Sequence, residues 1–345
     1  MRKRHFLMKA QGWVCVLGLA GIVLACLMLI TVMARAQGYG GDRSGSPVSA
    51  SPESRSRASD LYVTYRGKNS SQIILRTFNP AGAGQWSPEW AIPKASSDVA
   101  PALLHTDRYL LIVYKDKSSG RLIWRTFDGS RWSDKREIGK SKTENPPSLA
   151  LFNGTVYLAY RAYPTSRIFL RTFDGQRWSE EYLLSVAEST AGPVLTVYAN
   201  DLLLAYKGLR DNRIYVRGFD GHEWSAQHVL PHAETGLQPT MATIGQSRSN
   251  NLERDPQLWV AYQGINSSKV FYLVWDGYRW SEENKVPDVD TSSPPVLFSA
   301  GNALYLAYQG QGSSKVYLRQ WNPSPWSSER PIPSESSMDV AAVRF

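Results

Sequence analysis

Six segments of the sequence align with one another, and this repetition constrains the fold more than any other feature. Each segment contains an apolar run that ends in a tyrosine, a short polar turn, a second apolar run and then a Trp-Ser pair. The tyrosines are spaced by 49, 46, 46, 56 and 46 residues: Tyr65, Tyr114, Tyr160, Tyr206, Tyr262 and Tyr308. The Trp-Ser pairs begin at Trp86, Trp132, Trp178, Trp224, Trp280 and Trp326. A period near 46 residues is typical of the blades of a β-propeller.

Each repeat predicts four short strands. In the third repeat, Asn153-Gly154, the Pro-Thr-Ser stretch after Tyr163 and Asp174-Gly175 mark turns between apolar runs. The predicted strands are Pro147–Phe152, Val156–Arg161, Arg167–Phe173 and Trp178–Leu184. The runs carry Val, Ile, Leu, Tyr and Phe on both faces, as expected when neighbouring blades cover both faces of each sheet.

The sequence therefore predicts an all-β fold, a six-bladed β-propeller of four-stranded antiparallel blades over residues 61–345. The first repeat starts at a second strand, Leu61, and a lone first strand, Met338–Phe345, follows the last repeat. We expect this C-terminal strand to join the N-terminal blade and close the ring, because closure removes open sheet edges.

The residues before the repeats predict export. Residues 1–36 hold a basic start, an uncharged run of 21 residues (Trp13–Met33) and Ala34-Arg35-Ala36. This pattern fits a cleaved signal peptide, and its length also fits an uncleaved transmembrane anchor. Both alternatives place the rest of the chain outside the plasma membrane, secreted or held by a single helix. Residues 37–60, rich in Gly, Ser and Pro, are predicted to be a disordered linker.

Charge and cysteine content exclude two classes of protein. Of the net charge of +9, five positive charges and no negative ones fall in residues 1–36, so the rest of the chain carries +4. Spread over about 300 residues, this charge gives no nucleic-acid footprint. Both cysteines, Cys15 and Cys26, lie in the apolar run, so disulfides do not stabilise the repeats.

An aromatic-Asp-Gly-x-x-Trp motif recurs in four repeats and resembles the Asp box of sialidase-type propellers, with one residue fewer between Asp and Gly. Asp-Gly favours a tight turn, the carboxylate can accept backbone N–H groups, and the tryptophan can pack between blades. Four equivalent aspartates cannot all be catalytic. We predict a structural role in turns and packing for Asp128, Trp132, Asp174, Trp178, Asp220, Trp224, Asp276 and Trp280.

Two series of hydrogen-bond donors are the candidate carbohydrate-binding residues. One follows the tyrosine of each repeat: Arg66, Lys115, Arg161, Lys207, Gln263 and Gln309. The other lies on the third strands, where Leu273 interrupts it: Arg76, Arg125, Arg171, Arg217 and Arg319. Sugars need fixed donors for their hydroxyls and an aromatic face for their C–H groups.

A structural alternative for these donors stays open. The third residue after each tryptophan is most often acidic: Glu89, Lys135, Glu181, Gln227, Glu283 and Glu329. The arginines could pair with these side chains in a network between blades. A polar insertion at Gln246–Asp255 distinguishes one repeat from the others. The histidines do not form a metal-ligand pattern, so we predict no metal, no cofactor and no catalytic residue.

The repeats resemble those of the fucose-specific lectin superfamily, which are six-bladed propellers, and the L-Y-x-A-Y-K-G…F-D-G-x-x-W-S repeats of exported bacterial proteins. This resemblance implies glycans or glycoconjugates as partners. The family's Arg and Glu positions for fucose align with Tyr157 or Tyr305 and with Leu170 or Leu318. The resemblance therefore implies sugar binding without specifying fucose.

Three functions are compatible with the sequence. Near-equivalent blades favour a multivalent lectin with sites between blades, because linked weak sites gain avidity. A sialidase-like glycoside hydrolase would need a central site with placed carboxylates. A cell-envelope scaffold that binds proteins is the third alternative, since a fold does not by itself confer a function.

Overall fold

In the computed structural model, the described residues are 61–67, 70–79, 85–245, 256–300, 303–321 and 325–344, with side chains up to residue 333. The leader, the linker and the 246–255 insertion lie outside them. The described residues contain no helix. The strands are β1 (Leu61–Gly67), β2 (Gln72–Asn79), β3 (Gln85–Trp86), β4 (Trp90–Ser96), β5 (Ala102–His105), β6 (Leu110–Lys115), β7 (Arg121–Phe127), β8 (Arg136–Lys142), β9 (Ser148–Phe152), β10 (Thr155–Arg161), β11 (Arg167–Phe173), β12 (Tyr182–Glu188), β13 (Val194–Tyr198), β14 (Asp201–Lys207), β15 (Arg213–Phe219), β16 (His228–Glu234), β17 (Thr240–Ile244), β18 (Gln257–Gln263), β19 (Lys269–Trp275), β20 (Asn284–Asp290), β21 (Val296–Ala300), β22 (Ala303–Gln309), β23 (Lys315–Trp321) and β24 (Arg330–Arg344).

The strands form a six-bladed propeller of four-stranded antiparallel blades, as predicted. Blades 2 to 5 are separate sheets made of β5–β8, β9–β12, β13–β16 and β17–β20. Blades 1 and 6 belong to one larger sheet, in which the long strand β24 lies between β23 and β1. The first part of β24 pairs with β23 in blade 6, and the second part pairs with β1 in blade 1.

The hydrophobic core lies between blades. Each of six apolar clusters combines residues of two neighbouring blades, and together the clusters cover all six interfaces. The repeat tyrosines are the largest fully buried side chains in these clusters. A twisted sheet with two apolar faces is stable only when both faces are covered, and the neighbouring blades provide this cover.

The predicted strand boundaries hold except at the fourth strand. In blade 3 this strand begins at Tyr182, four residues after the predicted start at Trp178. Trp178 instead forms an isolated bridge with Phe173. The Trp-Ser pair thus belongs to the turn that joins the third and fourth strands.

Ring closure by the C-terminal strand stays a prediction, and the pairing of this strand suggests a test. The register joins Leu61 to Arg344 and Tyr65 to Val340 in antiparallel pairing. We expect deletion of residues 338–345 to expose the edge of β1 and to make the protein insoluble. Sedimentation and thermal melting of the truncated chain would measure this, with a deletion of Phe345 alone as the control. A truncated chain that stays soluble and melts cooperatively would contradict closure.

Candidate functional site

The serine of each Trp-Ser pair fastens the turn between the third and fourth strands. Its hydroxyl accepts a hydrogen bond from a third-strand N–H and donates to the carbonyl of the next residue. In blade 2, the Thr126 N–H donates to Ser133 Oγ at 3.0 Å, and Ser133 Oγ donates to the Asp134 carbonyl at 3.2 Å. All six repeats make both bonds, which accounts for the Trp-Ser pair as a structural motif.

The Asp-box aspartates sit at equivalent turns, and each accepts two backbone N–H groups. Asp128 accepts from Ser130 and Arg131 at 2.9 Å each. The same pair of bonds forms at Asp174, Asp220 and Asp276. These backbone hydrogen bonds lower the pKa of Asp128 from its usual value to about 2. A carboxylate held in this way caps a turn.

In five repeats, the buried tyrosine donates a hydrogen bond to the Glu or Gln that lies three residues after the tryptophan. The Tyr160 hydroxyl donates to Glu181 at 2.5 Å. Equivalent bonds join Tyr65 to Glu89, Tyr206 to Gln227, Tyr262 to Glu283 and Tyr308 to Glu329. The acceptor residues are all exposed on the outside of the blade, so their side chains reach inward to the phenol. Burial and this hydrogen bond raise the pKa of Tyr262 and Tyr308.

The third-strand arginines, predicted as sugar donors, are 6–7% exposed and donate to the protein's own backbone. Arg125 donates through Nε to the Ser133 carbonyl at 2.7 Å and through Nη1 to the Pro93 carbonyl of blade 1 at 2.5 Å. Arg76, Arg217 and Arg319 bridge their own blade and the preceding blade in the same way. Their proposed contact with sugar stays a prediction, and the geometry shows a tie between blades.

Arg171 departs from this pattern. It lies 3.2 Å from Glu181 and donates to the Ser141 hydroxyl at 3.0 Å and to the Ser179 carbonyl. Gly139 stands where four other repeats have proline, and a Cβ there would come within 2.9 Å of the guanidinium. The predicted Arg–Glu pair therefore forms here and not as a network across the described blades.

The other donor series lies at the ends of the second strands and holds the loops between blades. Lys115 pairs with Asp98 at 2.9 Å. Arg161 donates to Asn145 Oδ1 at 2.9 Å and to the Ser189 carbonyl at 3.0 Å, which links the loops before and after blade 3. Lys207, Gln263 and Gln309 donate to nearby loop hydroxyls or carbonyls. Arg66 lies at the equivalent position in blade 1, and Arg161, Gln263 and Gln309 remain partly exposed.

A central channel of about 460 Å³ runs between the inner strands. Its described lining comes from β5, β9, β13, β17 and β21 and contains no charged side chain. Lining hydroxyls join neighbouring inner strands, as where Ser148 Oγ accepts from the Leu195 N–H at 2.9 Å. Proline recurs at one level of this lining, at Pro101, Pro147, Pro239 and Pro295. The described lining thus presents no carboxylate to the channel.

The interface between blades 1 and 2 contains Trp90 and Lys135, which the sequence analysis did not single out as a site. Trp90 lies 6.1 Å from Trp132 and 5.1 Å from Phe127, centroid to centroid, and both tryptophans are partly exposed. Lys135 occupies the acceptor position, and the buried Tyr114 hydroxyl has no hydrogen-bond partner. Trp90 and Lys135 both depart from the repeat pattern, and this departure was the sequence signal for the unusual interface.

The described part of the chain shows neither a metal-binding cluster nor a membrane-spanning helix. It holds no group of three or more His, Cys, Asp or Glu side chains placed to bind a metal. None of its segments forms a helix that could span a bilayer. The apolar segment Trp13–Met33, for which a signal or anchor is predicted, lies outside the described residues.

The fold is similar to that of solved lectins. AofleA from Arthrobotrys oligospora matches with a TM-score of 0.62 and 12% identity, over 83% of this chain and 85% of that protein. A variant of the Aleuria aurantia lectin, solved with Fucα1-6GlcNAc, matches with a TM-score of 0.55 and 14% identity, over 80% and 96%. TolB from Acinetobacter baumannii matches with a TM-score of 0.56 and 10% identity, over 82% and 66%. No family model and no curated protein matches the sequence. These similarities show that the chain has the fold of a six-bladed β-propeller.

The Tyr–Glu contacts generate a paired stability prediction. We expect Tyr262→Phe to lower the free energy of unfolding by about 1.5–3 kcal/mol, because it removes a hydrogen bond to a charged acceptor. We expect Tyr114→Phe to lower it by no more than about 0.5 kcal/mol, because that hydroxyl has no partner to lose. Urea unfolding of both variants measures the difference. Equal losses would show that the acceptor residue does not stabilise the interface.

The Asp-box turn generates a prediction on pH. The folded-state pKa of Asp128 lies below its unfolded value, so the unfolded chain binds the proton first as the pH falls. The contribution of this carboxylate is present above about pH 4 and is lost as the pH falls through about 2. We expect Asp128→Asn, which keeps an acceptor oxygen but does not titrate, to lose stability less steeply than wild type over that range. Urea midpoints that fall in parallel for the two proteins would contradict this assignment.

Proposed function

We propose that the protein is a carbohydrate-binding, lectin-like propeller that acts outside the plasma membrane and binds glycans in clefts between its blades. The observation that carries the proposal is its similarity in fold to lectins over 80–83% of the chain, including one solved with a fucose-containing saccharide. Near-equivalent blades could supply several weak sites, whose linkage raises avidity. The export part of the proposal comes from the N-terminal sequence alone.

The described lining of the central channel bears on the hydrolase alternative. Glycoside hydrolases place two carboxylates on either side of the scissile bond. The described lining of the channel offers Ser, Thr and Gln side chains among apolar ones, and no acid. A glycosidase is therefore the weaker alternative for the described part of the chain.

A protein-binding scaffold is the second candidate, and one observation favours it. The edge strand β12 exposes Tyr182, Leu183 and Val186 at 56%, 38% and 75%. At the equivalents of Leu183 and Val186, four of the other blades carry Ala, Pro or polar residues; only Val229 in blade 4 is similarly apolar. Exposed apolar side chains at a sheet edge favour contact with another protein.

A glycan array with the intact chain tests the proposal. We expect saturable binding to one class of sugar, because equivalent clefts present similar donors. Arg161→Gln should weaken that binding about tenfold if the partly exposed rim donors contact the sugar. Arg167→Gln, which changes an exposed arginine of the same blade, is the matched control and should bind like wild type.

The outcomes separate the function from the site. Binding that Arg161→Gln leaves unchanged would retain carbohydrate binding and exclude this rim position. Binding to no glycan would contradict the lectin proposal and favour the scaffold. Melting temperatures of both variants, measured first, would show whether a loss of binding reflects a loss of folding.

A further inference from the structure

The interface between blades 1 and 2 lacks a hydrogen-bond acceptor that the other interfaces have. In five repeats, Glu or Gln at the third position after the tryptophan accepts a hydrogen bond from the buried tyrosine. In blade 2 this residue is Lys135, which can only donate. Tyr114 is 0% exposed, and its hydroxyl has no hydrogen-bond partner among the described residues. A buried hydroxyl without a partner is costly, so its presence calls for an explanation.

The groups around the missing acceptor are donors and cations. In blade 3 the three positions hold Tyr160, Arg171 and Glu181, and the Glu181 carboxylate accepts the hydrogen bond of the phenol. The matching residues in blade 2 are Tyr114, Arg125 and Lys135. Arg125 donates to the Ser133 and Pro93 carbonyls, and its guanidinium lies over the Trp132 ring.

Nearby carboxylates are engaged elsewhere. Asp116 accepts hydrogen bonds from Ser118 and Ser119. Glu137 pairs with Arg121 at 2.5 Å. Neither carboxylate is hydrogen-bonded to the Tyr114 hydroxyl, so this phenol faces a position that holds a glutamate in four other blades.

In the other blades, a side chain from the blade surface fills this position. The acceptor residues of the other blades are exposed on the blade surface, and their carboxylates enter the interface from there. Lys135 is likewise exposed. A carboxylate from solvent could therefore follow the path that Glu181 takes in blade 3.

An aromatic surface lies beside this position. Trp90 takes a place where the other repeats carry Arg136, Tyr182, His228, Asn284 and Arg330. It contacts Trp132, over whose ring the Arg125 guanidinium sits at 5.8 Å. Both tryptophans also pack against the core cluster that contains Tyr114. Aromatic faces of this kind stack on the C–H face of a sugar ring.

We propose that the surface formed by Trp90, Trp132 and Lys135, above the buried Tyr114 and Arg125, binds a saccharide that carries a carboxylate, such as a uronic or sialic acid. The ligand's carboxylate takes the place of the missing glutamate, and the sugar ring lies against the tryptophans. The choice of a saccharide rests on the lectin function proposed above, whereas the choice of a carboxylate rests on the Tyr114 hydroxyl and on the glutamates that four other repeats carry at this position.

The test compares acidic glycans with their carboxyl-reduced, neutral counterparts on the intact chain. We expect about tenfold tighter binding of at least one uronide or sialoside than of its neutral counterpart, because an alcohol accepts a weaker hydrogen bond from the Tyr114 hydroxyl than a carboxylate does and has no charge to attract Lys135. Lys135→Glu supplies a tethered carboxylate at the same position. It should raise the melting temperature and abolish the preference for acidic glycans.

Lys140→Glu is the matched control, because it makes the same change in charge at an exposed lysine of the adjoining strand β8. It should leave the preference intact. Loss of the preference in both variants would show a general charge effect and overturn the site. Equal binding of acidic and neutral glycans by wild type would also overturn it, while leaving the lectin function standing.

Melting experiments with acetate, a carboxylate without a sugar ring, test the carboxylate position independently of the lectin proposal. Acetate should raise the melting temperature of wild type and not of Lys135→Glu. If no glycan binds but this difference is present, the carboxylate position is supported and the saccharide is excluded. If acetate stabilises both proteins equally, the carboxylate position is excluded.

Discussion

The structure depends on contacts between blades, because a single four-stranded sheet with two apolar faces cannot be stable alone. Apolar burial supplies the main driving force, and every apolar cluster spans two blades. Two polar contacts then complete each interface, one within a blade and one between blades. The buried tyrosine reaches an acceptor on its own blade, and the third-strand arginine reaches a carbonyl of the preceding blade. Both contacts satisfy polar groups that burial would otherwise leave unpaired.

The fold could be read from the sequence because the repeat contains its own turn and packing signals. Tyr160, the Asp174 turn and Trp178 recur at fixed spacing, and each spacing corresponds to one strand or one turn. What the sequence did not reveal was the acceptor of each arginine. We considered side-chain partners, but most of these guanidinium groups bind backbone carbonyls, which a residue pattern does not display.

An irregularity in the fourth strands turns the backbone carbonyls that accept these hydrogen bonds toward the arginines of the next blade. Pairing shifts register there, and residues such as Lys94 and Asp288 adopt positive φ of 55° and 52°. The preceding residue, Pro93 or Pro287, then offers its carbonyl to the next blade. Proline at this position in four repeats was a usable signal, because proline in a strand is confined to edges and bulges. In blade 2, Gly139 replaces this proline. Arg171 of blade 3 lies against Gly139 and contacts Ser141 and Glu181.

Because the common contacts are structural, function is best sought where a repeat departs from them. Selection for stability alone would favour an acceptor for the Tyr114 hydroxyl. Four other repeats carry glutamate at the position of Lys135, and a glutamate there would satisfy the hydroxyl. Natural proteins tend to break local rules of this kind at functional sites. Trp90 departs from the pattern in the same cleft and adds the aromatic surface that a sugar requires. Two independent departures that converge on one interface are better explained by a ligand than by drift at either position alone.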